Sequence, residues 1–354
     1  MNADIEVLLK EMVAKKASDI HLTVNATPQL RIDGRLVSTK YDVLNPDSAK
    51  KLVYSILSKE HIEKFEKDWE LDFSFSREKL GRFRVNLFFQ RGSVGCAIRL
   101  IPFEIQTFEE LGLPGNVLTS LCRKPKGLVL ITGATGSGKS TTLASMVDMI
   151  NKERYCNIIT VEDPIEFVHR NKKAIVAQRE LGTDTHSYGA SLKHVLRQDP
   201  DVILIGEMRD LETIEAALII AETGHLVFST LHTSDCVQTI NRVIDVFPSH
   251  QQQQIRVQLS FVLLAAMSQQ LLPKAGQPGR VLATEVLLIT PAVRSLIREM
   301  KVHQIYSAIQ TGQREGMRTM NQSLAELEKA RLVTHEDALS RTTDSEELLR
   351  LVRK

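Results

Sequence analysis

The octapeptide GATGSGKS, Gly133 to Ser140, is the stretch of this 354-residue sequence whose residue types and spacing ask most clearly for chemistry. In the pattern G-x-x-x-x-G-K-S, a glycine-rich turn lets backbone N–H groups close around phosphate oxygens. The apolar run Leu128–Thr132 precedes it and the helix-compatible Ser140–Ile150 follows, so the turn opens onto the positive end of a helix. Gly133, Ala134, Thr135, Gly136, Ser137, Gly138, Lys139, Ser140 and Thr141 therefore read as a triphosphate cradle. Lys139 would reach the β- and γ-phosphates, and Ser140 would give one oxygen to Mg²⁺. A glycine-rich turn of no function is the bland alternative, and the flanking strand and helix count against it.

Hydrolysis also needs carboxylates at neighbouring strand ends. In DVILIGE the apolar Val202–Ile205 leads to Gly206-Glu207, at the edge where ligands sit in open α/β sheets. Glu207 would hold a metal-bound water or orient the attacking one; a solvated turn residue is the alternative. In IITVEDPIE a second strand ends in Glu162 and Asp163 before Pro164. Glu162 is a candidate general base, which must come within hydrogen-bond reach of the proton it removes. Asp163 would hold metal-bound water or brace a neighbour. In TGHLVFSTLHTSD, His225 and His232 bracket the strand Leu226–Ser229. His232 falls on the nucleotide side and could donate to the γ-phosphate, while His225 reads equally well as a structural hydrogen-bonding residue. In GRFRVNLFFQRGSVGCAIRL, Arg82 and Arg84 share a strand face and Arg99 lies on the next strand. These form either a solvated cationic face or arginine fingers acting across a subunit boundary.

Two kinds of scaffold position these groups. Residues 1–100 read as an α+β domain: a helix over Ile5–Lys16, strands at Ile20–Val24, Gln29–Ile32 and Arg35–Ser38, and a hairpin signal at Asp33-Gly34. A helix from Asn45-Pro46-Asp47 to about Leu57, another over Glu60–Lys67, and strands at Glu70–Ser76, Gly81–Gln90 and Val94–Leu100 complete an antiparallel sheet. Prolines and glycines mark 101–115 as a linker. From 116 to 354, continuous apolar strands alternate with helices, as a parallel sheet covered on both faces requires. Beyond Phe247-Pro248 the chain is expected to be helical except for one strand at Val281–Ile289.

Composition bounds the rest. Lys and Arg number 45 against 43 Asp and Glu, a net +2, and 43% of residues are hydrophobic. Bulk disorder is excluded, and no basic excess exists for nucleic acid, so none is expected as a partner. The cysteines, Cys96, Cys122, Cys156 and Cys236, are too scattered for a disulfide framework or a paired zinc site. Apolar runs fall short of the roughly 20 residues that span a bilayer, so a cytoplasmic chain with no membrane span of its own is expected.

Four stretches together, GATGSGKS, ITVEDPIE, LRQDPDVILIGEMRD and TGHLVFSTLHTSD, closely resemble the type IV pilus retraction ATPases, within the secretion branch of RecA-like P-loop proteins. ASDIHL and AIRLIP are similar to that family's PAS-like N-terminal domain, and AVRSLIREMKVHQIYSAIQTGQREGMRTMNQSL to its retraction-type tail. In that tail Val293, Leu296, Ile297 and Met300 would share one helical face, with Val293 and Ser295 where the family more often has Ile and Asn. The resemblance implies a PAS-like α+β domain followed by a RecA-like P-loop ATPase domain. It implies a homohexamer that binds ATP and Mg²⁺ between subunits and works at the inner-membrane base of the pilus on a platform protein. It makes Glu162 and Glu207 the catalytic acids with Lys139, His232 the γ-phosphate contact, Ser140 and Glu207 the metal side, and Arg84 and Arg99 the trans arginines, Arg82 less so. The absence of a C-x-x-C pair disfavours the extension and type II secretion ATPases. Those motors, a DNA translocase and a non-hydrolysing nucleotide switch are the alternatives.

Overall fold

The computed structural model describes residues 4–32, 34–78, 80–101 and 104–353. The chain divides into two units, Met1–Glu104 and Ile105–Lys354. The expected hairpin residue Asp33 and the linker residues Pro102 and Phe103 lie outside the described residues.

In the first unit, α1 (Ile5–Ala14) starts where the Asp4 carboxylate accepts from the N–H groups of Glu6 and Val7, an N-cap worth about 1 kcal/mol. Its Ile5, Leu8, Leu9 and Met12 are buried, the i, i+3, i+4, i+7 stripe of an amphipathic helix. Then come β1 (Asp19–Leu22), β2 (Gln29–Ile32), β3 (Arg35–Ser38), α2 (Pro46–Tyr54) and α3 (Lys59–Asp68). The unit closes with β4 (Glu70–Arg77), β5 (Gly81–Gln90) and β6 (Ser93–Ile101). The six strands pair antiparallel in the order β3-β2-β1-β6-β5-β4. Because side chains alternate along a strand, Ile20, Leu30, Phe83, Val85 and Ile98 enter the core. Asp19, His21, Arg31, Arg84 and Arg99 fall on the opposite face by the same alternation.

The second unit begins with α4 (Gly115–Cys122), β7 (Gly127–Thr132), α5 (Lys139–Glu153), β8 (Asn157–Glu162), β9 (Ile175–Glu180) and α6 (Tyr188–Val195). It continues through β10 (Val202–Ile205), α7 (Leu211–Glu222), β11 (Leu226–Leu231), α8 (Cys236–Asp245), α9 (Ser249–Val262), β12 (Leu263–Pro273) and β13 (Arg280–Leu288). Five helices follow: α10 (Pro291–Arg298), α11 (Ile305–Thr311), α12 (Met320–Lys329), α13 (His335–Leu339) and α14 (Ser345–Arg353). The sheet order is β13-β12-β7-β11-β10-β8-β9. Strand β7 shows why its sequence is apolar throughout: Leu128 and Leu130 enter one core cluster, Val129 and Ile131 the other.

Three expectations need correction. The sheet is mixed, since β13 runs antiparallel to β12 while the other neighbours are parallel. The stretch after Phe247 holds two strands: Leu263–Pro273 runs parallel to the central β7. Helix α10 stops at Arg298, and Met300 is 62% exposed at φ 61°, so it does not continue the face of Val293 and Ile297. Among the described residues, no helix is long and apolar enough to cross a membrane.

Candidate active site

The phosphate loop leaves the end of β7 and runs into α5. Gly133 has φ 139°, and a Cβ there would lie 2.5 Å from the Gln269 carbonyl oxygen and 2.6 Å from Ser137 Oγ. The turn therefore demands glycine at this position. Gly138 caps α5 at φ 94° with no side chain hydrogen-bonded to the helix end, which leaves first-turn N–H groups for an anion. Lys139 is buried, and its ammonium donates to the carbonyls of Gly133 (2.8 Å) and Ala134 (3.0 Å). Burial lowers its pKa, against the opposing pull of the Glu207 charge. Ser137 Oγ is buried without a partner inside the loop, whereas Ala134, Thr135, Gly136 and Ser140 are exposed.

Three strand ends bring the remaining groups to the same edge. Gly206 follows β10, its N–H donating to Val161 O and its carbonyl accepting from Thr230 Oγ1. A Cβ on Gly206 would come within 2.9 Å of the Tyr188 hydroxyl and 3.3 Å of the Glu162 Cα, so glycine lets β8, β10 and α6 converge here. Glu207 accepts from Arg209 (2.8 Å) and lies 3.1 Å from His232 Nε2. Burial pushes its carboxyl up, but the Arg209 hydrogen bond and the His232 charge outweigh that, so its pKa lies below the usual value. Glu162 ends β8 and accepts from Thr160 Oγ1 (2.6 Å) and Gln178 Nε2 (3.2 Å). Burial dominates at Glu162, and its carboxyl is raised despite these donors and the Glu166 N–H.

The two histidines separate cleanly. His232 is beside Glu207; His225 Nδ1 lies 3.1 Å from Ile220 O and 3.2 Å from Thr223 Oγ1, at the end of α7. In the first unit Arg84 and Arg99 stand directly opposite each other on β5 and β6. Arg99 Nε bonds the buried Asp19 at 2.8 Å, and Arg31 approaches the same carboxylate at 3.8 Å.

Several site residues escaped the sequence reading. Gln269 on β12 donates to Thr142 of α5 at 2.8 Å, bracing the phosphate loop. Glu285 on β13 accepts from Cys236 N at 2.7 Å, fixing the start of α8 just past the His232 loop. Ser268 Oγ holds Ser234 O at 2.7 Å in that loop. Tyr188 opens α6 among the acids, its hydroxyl pKa raised by burial and by Asp163, Glu162 and Glu207. All four depend on contacts distant in sequence. Signals for Gln269 and Ser268 existed only in a strand that read as helix.

A seven-stranded mixed sheet with this loop at the end of the central β7, and acids at the ends of β8 and β10 on the same edge, defines a P-loop nucleotide-binding protein. The chain belongs to the type II/IV secretion system protein family, whose model matches residues 1–340. It is 48% identical to the Pseudomonas aeruginosa protein named type IV pilus retractation ATPase PilT, over 95% of this chain and 97% of that one. It is 44% identical to the twitching motility protein of Neisseria gonorrhoeae, over 91% of this chain and 86% of the relative. The crystal structure of the pilus retraction motor PilT with bound ADP superposes with a TM-score of 0.92 at 52% identity, covering 98% of this chain and 99% of that one.

Proposed function

We propose that this chain is an ATP-hydrolysing motor that retracts type IV pili. The observation that carries the reading is the convergence of Lys139, Glu162, Glu207 and His232 on one sheet edge, within a chain similar to a retraction ATPase over nearly its whole length. Lys139 exchanges the carbonyls of Gly133 and Ala134 for the β- and γ-phosphates, and its burial makes an anionic partner the favourable one. The buried, unpartnered Ser137 Oγ and the uncapped first turn of α5 suit a bound phosphate chain. Glu162, whose carboxyl is raised, takes the proton of the attacking water. Glu207 stays ionised, and its contact with His232 aligns the imidazole for the γ-phosphate.

The donor set fits Mg²⁺: the exposed Ser140 hydroxyl and the Glu207 carboxylate are hard oxygens of the type that ion takes. Bound there, the ion would neutralise charge developing on the phosphate oxygens. Arg84 and Arg99 act in trans, supplied by the PAS-like N-terminal unit of a neighbour in a homohexamer whose second units are RecA-like. Closure of the shared site with ATP, and its release after hydrolysis, would move a platform protein at the inner membrane. The site residues stand on 1–100 and 116–354, joined by the linker 101–115.

Purified Lys139→Ala protein should lose more than about 99% of phosphate release, as removal of a charge that stabilises the transferring phosphoryl group demands. Full ATPase activity in that variant rejects the site. In cells, loss of the protein should leave long, abundant pili that do not retract; short or absent pili would point to extension instead.

A further inference from the structure

The carboxylate of Glu162 is gripped by a side chain that no motif identifies. Thr160 and Gln178 are direct partners in the parallel pairing of β8 with β9, and Glu162 pairs with Glu180 two residues on. All four side chains therefore share one face of the sheet. Gln178 Oε1 accepts from His169 N at 2.7 Å, and Gln178 Nε2 donates to Phe167 O at 2.8 Å. A backbone N–H can only donate and a carbonyl can only accept, so these two neighbours fix which end of the amide is oxygen. The second N–H then points at Glu162 Oε1, 3.2 Å away, beside the Thr160 hydroxyl at 2.6 Å.

We propose that Gln178 is a positioning residue for the reaction: with Thr160 it locks the rotamer of Glu162 and ties that carboxylate to the loop between β8 and β9. The inference rests on the general-base reading of Glu162. The same amide anchors Phe167 and His169, so any shift of that loop turns the carboxylate, and a carboxylate left to Thr160 and the Glu166 N–H alone samples orientations in which no water is in line. Glu180 holds the other side of the loop, its Oε2 accepting from Ile165 N at 3.1 Å, so the loop stays attached when the Gln178 amide alone is altered.

Two variants of the full chain separate positioning from mere loop anchoring. Gln178→Leu removes every bond of the amide. Gln178→Glu keeps the acceptor for His169 N, and so one of the two loop bonds, but faces both Glu162 and the Phe167 carbonyl with an oxygen. If Gln178 acts through Glu162, Gln178→Glu is the slower enzyme, with kcat lowered about 10- to 100-fold and KM for ATP within about twofold. If it only anchors the loop, Gln178→Leu is the slower one, and the proposal fails. Single-turnover phosphate release in the Glu162→Gln background supplies the second arm. There, adding Gln178→Leu should change the residual rate by less than about twofold, because the group it orients is gone. A further loss equal to that seen in the wild-type background overturns the proposal. Wild-type turnover by Glu162→Gln alone overturns the general-base reading instead, and wild-type kcat in both Gln178 variants beside an inactive Glu162→Gln overturns only the positioning role.

Discussion

Glu162 and Glu207 end neighbouring strands, yet their surroundings push their proton affinities apart. Burial raises the Glu162 carboxyl, whereas Arg209 and His232 hold Glu207 below the usual value despite its own burial. Opposed shifts of two acids in one site are the pattern expected where one accepts a proton and the other stays charged. With Glu162 as the proposed general base, turnover needs it unprotonated, so the rate is expected to fall as pH drops through its raised pKa. The acid limb of kcat is therefore expected above the usual carboxylate range of about 4, and a limb lying below that range would return the base role to Glu207, whose carboxyl is held down. The histidines give a second contrast. His232→Ala should abolish most turnover with little change in unfolding free energy. His225→Ala should lose about 1 kcal/mol of stability, the worth of a helix-end hydrogen bond, with kcat intact. Denaturant unfolding and phosphate release on the same samples check both.

At the scale of elements, the central strands and the phosphate loop were legible because burial on both faces writes itself as continuous apolar runs. Val202–Ile205 was read to the residue, and Leu128–Thr132 missed only Gly127. Strand β12 was not legible. Its sequence LLAAMSQQLLP is rich in good helix formers and continues directly from α9, and only its place beside β7 makes it a strand. Strand β9 hid for the opposite reason: it lies at the sheet edge with Ile175 64% exposed and polar residues interleaved. Those two strands carry Gln269 and Gln178, so the braces of the site vanished from view with them. The loop's dependence on β12 is testable. Gly133→Ala would drive a Cβ against Gln269 O and Ser137 Oγ at a positive φ. We expect about 2–3 kcal/mol lower stability and at least about tenfold weaker binding of a fluorescent ADP analogue. Unchanged binding would mean that the loop relaxes without its brace.

On the scale of the whole molecule, the question is why a nucleotide-binding unit follows a sheet that displays arginines on its polar face. Arg99 is 65% exposed, while its partner Asp19 is 9% exposed. Burial alone would raise the Asp19 carboxyl; the bonds from Ser18 and Arg99 reverse that and keep it ionised. Asp19 thus holds the Arg99 guanidinium within its own unit, and Arg31 lies 3.8 Å from the same buried carboxylate, close enough to keep it paired if Arg99 were drawn away. A phosphoryl group offered by another subunit would be the partner that draws it away. Mixing inactive subunits tests the shared site directly. Protein carrying Lys139→Ala has a dead phosphate loop and intact arginines; protein carrying Arg84→Ala and Arg99→Ala has the reverse. In a head-to-tail ring formed from equal amounts, about a quarter of the interfaces join an intact loop to intact arginines. The mixture should therefore recover ATPase activity that neither parent shows, rising with total protein concentration as rings assemble. Recovery requires the loop and the arginines to come from different chains. If the mixture stays as inactive as its parents, although light scattering shows co-assembled rings, the arginines serve their own subunit and the trans site is wrong.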